Sequence, residues 1–318
     1  MRARVPKFRI EPPTSDHLKR ANNLKGMGWM LVAAIAFASM HAGIKQVSHE
    51  LHPFEIAFFR NFFAVIALLP VLLRVGIAPL RTKRPGLLGL RAATNLVAML
   101  MYFTALSLAP LADVSALGFL APIFVTLLGA LVLREHVGPR RWAAILAGFA
   151  GAMVLIRPGF GGFDLGHILV VLSTVVWAVA LLVIKLLSRT ESSTTITLYM
   201  GIMLAPLSLV PALFVWQWPS GEAYIWLAGI GCLGALAQWA LSESLRLGET
   251  AVVMPVDFFK LIWAAALGYL LFLEVPDLFT WIGGGTIFAA GTYIAVRESR
   301  LGRARMRPPD RFPAEPPS

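Results

Sequence analysis

Apolar residues fall into ten long runs separated by short breaks of charged residues, proline or glycine: 26 to 45, 54 to 73, 86 to 108, 113 to 133, 140 to 157, 165 to 187, 195 to 216, 222 to 245, 250 to 272 and 279 to 297. A helix rises roughly 1.5 Å per residue and a bilayer core is about 30 Å thick, so runs of this length predict spanning helices. The breaks are too short to hold a folded aqueous domain. The expected fold class is an all-α integral membrane protein of ten transmembrane helices.

The pattern repeats. Asp113 to Glu135 and Val252 to Glu274 align at an offset that places Phe119 on Phe258, Gly129 on Gly268, Glu135 on Glu274 and Trp142 on Trp281. Gly26 to Lys45 likewise matches Gly166 to Lys185, with Ser48 on Ser188. Five spans per copy is an odd number, so the second copy enters the membrane from the opposite side. That predicts an inverted 5+5 repeat, the plan from which many secondary carriers build two gates around a midplane site. The expected organisation is a cytoplasmic basic tail over 1–25, a first repeat over 26–157, a second over 165–297 and an Arg/Pro-rich tail over 298–318. RPGFGG (Arg157 to Gly162) is then the turn between the repeats, not a phosphate cradle.

Composition agrees: 58% hydrophobic, 14% charged and a mean hydropathy of +0.73 are far from a soluble domain. The formal net charge of +11 would suggest nucleic acid in a soluble chain, but the basic residues sit between apolar runs and at the termini. With the N-terminus inside, the inner segments hold Lys25, Arg74, Arg91, Arg141, Lys185 and Arg246 among others, while the outer ones hold almost only Lys45 and Arg157. This alternation satisfies the positive-inside rule and predicts a multi-pass inner-membrane protein with both ends cytoplasmic. The basic charge is thus assigned to topology and membrane lipids, with no nucleic-acid partner. Both tails, having little to bury, are expected to be unstructured. The single cysteine, Cys232, excludes an intrachain disulfide or a cysteine metal cluster.

Taken together, the ten-span plan, Arg60 in FEIAFFRNFF, the Ala-Pro pair of FLAPIFVTLLGALVLRE (Pro122 to Glu135) and the closing Glu with Trp seven residues on resemble the drug/metabolite transporter superfamily. Over about 26 to 297 the chain looks like a protein with two EamA domains. The resemblance implies a carrier of amino acids, nucleotide-like metabolites, riboflavin or S-adenosylmethionine, in either direction, with no cofactor. The chain departs from strict symmetry in one respect: Leu261 stands where the first copy has Pro122, and Pro255 comes earlier.

Candidate chemistry lies where polar residues interrupt apolar runs. Asp257 and Lys260 share one helical face inside a span, where an unpaired charge costs roughly 2.5 to 3.5 kcal/mol, so they must pair or face water. Their equivalents in the first copy, Gly118 and Ala121, are uncharged. Two readings stand: a lining that recognises a charged or zwitterionic solute, or a structural ion pair. Arg60 either snorkels or pairs structurally, or meets a substrate anion; Asn61 beside it is expected to bridge helices. Asn95, Tyr102, Trp177, Gln238, Trp239, Trp263 and His41 offer stacking and hydrogen bonds to a solute, or ordinary core and interface positions. Glu243 and Asp113, near opposite membrane faces, are proton or gate candidates; Glu135 and Glu274 are expected to order turns. Pro122 is expected to bend its helix. His41 has no companions at metal-ligand spacing, so no metal site is expected. Small residues (Ala144, Gly148, Ala152, Gly283, Gly284, Gly285, Gly291) allow close helix approach within a monomer or a homodimer.

There is no HExxH, Walker loop or Ser-His arrangement, so an enzyme is not expected. The expected function is a secondary carrier moving a small organic metabolite by alternating access. The alternatives are an intramembrane lipid-modifying enzyme and a non-transporting adaptor.

Overall fold

The computed structural model describes residues 14–75, 82, 84–132, 138–157, 164–187 and 193–306. The described elements are helices alone: α1 (Thr14–Val47), α2 (Pro53–Val75), α3 (Pro85–Leu108), α4 (Leu111–Gly118), α5 (Ala121–Val132), α6 (Pro139–Ile156), α7 (Leu165–Leu187), α8 (Ser193–Leu213), α9 (Gly221–Leu247), α10 (Thr250–Val253), a 3-10 helix (Met254–Phe258), α11 (Phe259–Phe272) and α12 (Leu278–Met306). Eight helical stretches among the described residues are long and apolar enough to cross a membrane. Tyr199–Leu213 is a shorter apolar helix, and α2 covers the remaining expected run. Glu135, and the expected inter-repeat turn beyond Arg157, lie outside the described residues.

Two expected spans are discontinuous, and the breaks fall at matching positions. The fourth run parts at Phe119–Leu120 between α4 and α5, with Pro122 in the first turn of α5. Proline has no N–H to donate backward and is well placed in a first turn. The ninth run passes from α10 into a 3-10 helix that opens on Met254 and Pro255, then into α11. A tightened, interrupted helix frees backbone groups, which is tolerated in a membrane only against protein or a wet cavity.

α1 packs most extensively on α9, and α3 on α7; α6 pairs with α12, and α2 with α8. α1 also meets α11, while α7 meets α4 and α5. The α6–α12 contact depends on missing side chains. A Cβ added to Gly151 would stand 2.9 Å from the Gly283 carbonyl oxygen, and one on Gly283 2.6 Å from that of Gly151. Ala144, Gly148, Ala152 and Gly291 are likewise buried between helices of the one chain. These small residues therefore let helices of the one chain approach closely, while Gly285 has nothing within 4 Å.

The tails differ from expectation. α1 begins at Thr14, well before the apolar run, and α12 continues to Met306 beyond it. Extending an existing helix fixes one residue per hydrogen bond gained, without a new nucleus, and Arg, Lys and Leu are good helix formers.

Candidate functional site

The two helix breaks face each other and bring polar groups to the centre of the bundle. Asp257 lies in the 3-10 helix and Lys260 in the first turn of α11, so the tightened turn sets the carboxylate and the ammonium side by side. Lys260 Nζ donates to Asp257 Oδ2 at 3.4 Å, and the side chains keep 18% and 22% of their surface open. The same Nζ lies 4.4 Å from the ring centroid of Phe119, the residue at the break in the other half. Cation and ring attract through the ring quadrupole. Phe288 of α12 packs edge-on against Phe119 and tilted against Phe258.

α3 and α1 supply the next wall. The Tyr102 hydroxyl donates to the Val114 carbonyl at 3.5 Å, and a Cβ on Gly118 would lie 3.4 Å from its oxygen. The His41 ring is 5.1 Å from that of Tyr102, and His41 Nδ1 is buried without a partner.

Arg60 points inward rather than snorkelling. Its Nη1 donates to Asn61 Oδ1 at 2.9 Å, its Nε is buried without a partner, and its fork lies against Gly234 of α9, where a Cβ would stand 3.1 Å from Nε. Met40 of α1 borders the same space. Asn61 Nδ2 in turn donates to Ser208 Oγ on α8 at 3.2 Å, bridging helices. Among the described residues Arg60 has no carboxylate partner.

Other candidates stand apart. Trp263 N–H donates to Ser39 Oγ at 3.1 Å with its ring partly exposed. Trp239 is exposed and packs edge-on against Trp29, beside exposed Gln238. Trp177 is exposed on α7 and Asn95 half-buried on α3. Glu243 is engaged by Arg246 one turn along α9, whose Nε donates to it at 2.8 Å.

Asp113 belongs to a second cluster, at the end of the bundle that holds Lys45. Asp113 Oδ1 accepts from Thr280 Oγ1 at 2.7 Å, and its Oδ2 lies 3.4 Å from His167 Nε2. His167 Nδ1 is 2.8 Å from Asp164 Oδ1. Thr280 N–H donates to Asp277 at 2.8 Å, and Asp277 pairs with Arg157. Burial pushes the Asp277 carboxyl up, but the Thr280 N–H and hydroxyl and the Arg157 guanidinium outweigh it and hold it below its ordinary value.

Glu274 joins this end. Leu273 adopts a left-handed conformation, and the Glu274 N–H returns to the Gly268 carbonyl at 3.0 Å, a Schellman-type helix end. That turn throws the Glu274 carboxylate onto Lys45, which pairs with it, and onto the Leu111 N–H at 2.8 Å. Lys45 Nζ also donates to the Ala109 carbonyl at 2.7 Å. A cleft of about 230 Å³ lined by Asp113, Arg157, Glu274, Asp277 and Thr280 opens beside these groups. Lys45, Arg157, His167, Asp277 and Thr280 do not stand out in the sequence as members of a site. A polar residue at a helix end signals an interface, and its partner is many positions away.

The described residues hold no group of three or more His, Cys, Asp or Glu side chains suited to a metal ion. The chain matches the model of a family described as EamA-like transporters over residues 24–157 and 164–296. A riboflavin transporter of Vibrio cholerae is 33% identical over 285 residues, covering 88% of this chain and 96% of that protein. One of Rhizobium johnstonii is 31% identical over 293 residues, covering 91% and 97%. An S-adenosylmethionine uptake transporter of Rickettsia felis is 29% identical over 277 residues, covering 87% and 94%. A solved crystal structure shares the fold with a TM-score of 0.58 at 20% identity, covering 89% of this chain and 99% of that one.

Proposed function

The chain belongs to the EamA-like transporter family, and from that premise we propose that it is a secondary carrier moving a small organic metabolite across the inner membrane by alternating access. It is a transporter and not an enzyme. The two repeats, 26–157 and 165–297, are inverted copies of five spans each, with both termini cytoplasmic. Reciprocal contacts support this reading: α1 on α9 is matched by α7 on α3, and α1 on α11 by α7 on α4 and α5. A two-fold relation between the copies gives such pairs, and an odd number of spans per copy makes it an inverted one. The distribution of Lys and Arg supports the orientation.

The observation that carries the reading is the meeting of the two helix breaks, with Lys260 over Phe119 and Asp257 beside it. A solute held there touches both halves, so rocking one against the other changes the side from which it is reached. Asp257, Lys260, Arg60 and Tyr102 bind the solute. Pro122 lets α5 restart after the break. Trp263, Trp239, Gln238, Trp177 and Asn95 line the route only if the halves move apart, because the described contacts leave them outside the central cluster. Relatives named for riboflavin and S-adenosylmethionine support a heteroaromatic metabolite as the solute.

The test is counterflow of labelled solutes into proteoliposomes of the purified chain, with and without a pH gradient. The Asp257→Asn/Lys260→Gln double variant is expected to lose at least about tenfold in exchange while expressing normally, since each charge removed is one the solute would meet. Undiminished exchange by the double variant would sink the assignment of the site.

A further inference from the structure

Among the described residues the central cluster does not balance its charge: its anion, Asp257, is engaged by Lys260, and Arg60, which meets Met40 of α1 over Gly234, one position from His41, has no carboxylate. Among the described residues Arg60 has only the neutral Asn61 amide for its Nη1, and its Nε has no partner. It is also held in place: Asn61 is tied to Ser208, and Gly234 leaves room for the guanidinium to lie against α9. A desolvated guanidinium without a counterion is costly, and an acceptor on a bound solute removes that cost. His41 and Tyr102, with rings 5.1 Å apart, and Phe119 under Lys260 provide ring surfaces in the same bundle.

From this, and resting on the carrier reading above, we infer that the site selects planar solutes that are neutral or anionic and rich in hydrogen-bond acceptors, Arg60 holding an acceptor group, and that it rejects permanent cations. The two solutes named for the relatives fall on opposite sides of this line. Riboflavin is uncharged, with a flat, carbonyl-bearing ring system. S-adenosylmethionine carries a sulfonium and a net positive charge. S-adenosylhomocysteine is the same molecule without the methyl group and without the sulfonium charge, so the pair differs by one methyl and one positive charge.

Equilibrium dialysis of the purified full-length chain against labelled riboflavin, S-adenosylhomocysteine and S-adenosylmethionine tests this. Riboflavin and S-adenosylhomocysteine are expected to bind, with S-adenosylmethionine weaker than its net-neutral, zwitterionic counterpart by on the order of tenfold, as one uncompensated charge at roughly 10 Å and an effective dielectric of about 20 requires. Arg60→Gln removes the excess charge and should bring the two within about twofold. The Asp257→Asn/Lys260→Gln variant removes one charge of each sign, so it should bind more weakly yet keep the order; this arm decides the matter if Arg60→Gln does not fold. S-adenosylmethionine binding as tightly as S-adenosylhomocysteine, a ratio unmoved by Arg60→Gln, or no binding of riboflavin and S-adenosylhomocysteine would each overturn the inference. Binding in the expected order without exchange across liposomes would instead overturn the carrier reading and leave the inference standing.

Discussion

At the Lys45 end of the bundle, helices of the two halves are joined by carboxylates and cations; at the other end α1 and α9 meet backbone to backbone. Lys45 of α1 pairs with Glu274 after α11, and Asp113 of α4 reaches Thr280 of α12 and His167 of α7. Glu55 of α2 adds a bond from the Gln217 N–H at 2.6 Å, and Glu50 one from the Ser220 N–H at 2.8 Å. At the opposite end, a Cβ on Gly26 would stand 2.8 Å from the Gly248 Cα, Ser244 Oγ donates to the Gly26 carbonyl at 2.7 Å, and the Glu249 N–H donates to Asn23. The difference concerns what each closure loses on opening. Charged groups recover hydration when parted, so a polar end can separate into water at moderate cost. A glycine contact is held by shape, so it depends on the absence of side chains.

The strongest way to break the polar end is to orphan one partner. Lys45→Ala leaves the Glu274 carboxylate, only 20% exposed, without its cation, and it is expected to destabilise the protein by about 3 kcal/mol or more, against a much smaller loss for Lys45→Met/Glu274→Gln. Thermal unfolding of the detergent-solubilised variants compares them; equal melting for both would mean that the pair is not what holds this end.

The glycine end is tested by a methyl group. Gly26→Ala must push α1 from α9 and is expected to cost about 1 to 3 kcal/mol with reduced counterflow. Gly28→Ala, where nothing lies within 4 Å, should be neutral or gain up to about 1 kcal/mol from helix propensity. Equal melting temperatures for the two would show that α1 and α9 do not rely on this contact.

The smallest effect belongs to Asp277 and Arg157, whose side chains are 39% and 36% exposed. Asp277→Asn should cost no more than about 1 kcal/mol, as exposed pairs do. Because the folded carboxyl lies below its ordinary value, its contribution is complete above about pH 4 and is lost as the pH falls through the folded value. The melting difference between wild type and Asp277→Asn should therefore shrink only at acid pH; a difference that grew on acidification would reverse the sign assigned here.

How far the site was legible depended on sequence distance. Asp257 and Lys260 stood out because three residues on one helical face suffice to bring them together. Arg60 was conspicuous as a charge in an apolar run, but whether it snorkelled or turned inward depended on Gly234, a residue of another helix. Asp113 was visible as a candidate, whereas His167 and Thr280, 54 and 167 positions from it, were not. Trp177 and Trp239 were attractive for their rings, yet they face outward in this structure, as aromatic residues of membrane helices often do.

Run length, charge alternation and internal similarity are properties of the chain, and by themselves they determined a helical membrane protein of two related segments. Every backbone group in hydrocarbon must be satisfied within its own helix, so a run of apolar residues has few conformations to choose from. Tertiary structure alone decided that both break points meet, that Lys260 lies over Phe119, that Arg60 is left without a carboxylate among the described residues, and that Lys45 finds Glu274. Those outcomes depend on which helices become neighbours and on how closely glycines let them approach, and no local pattern encodes either.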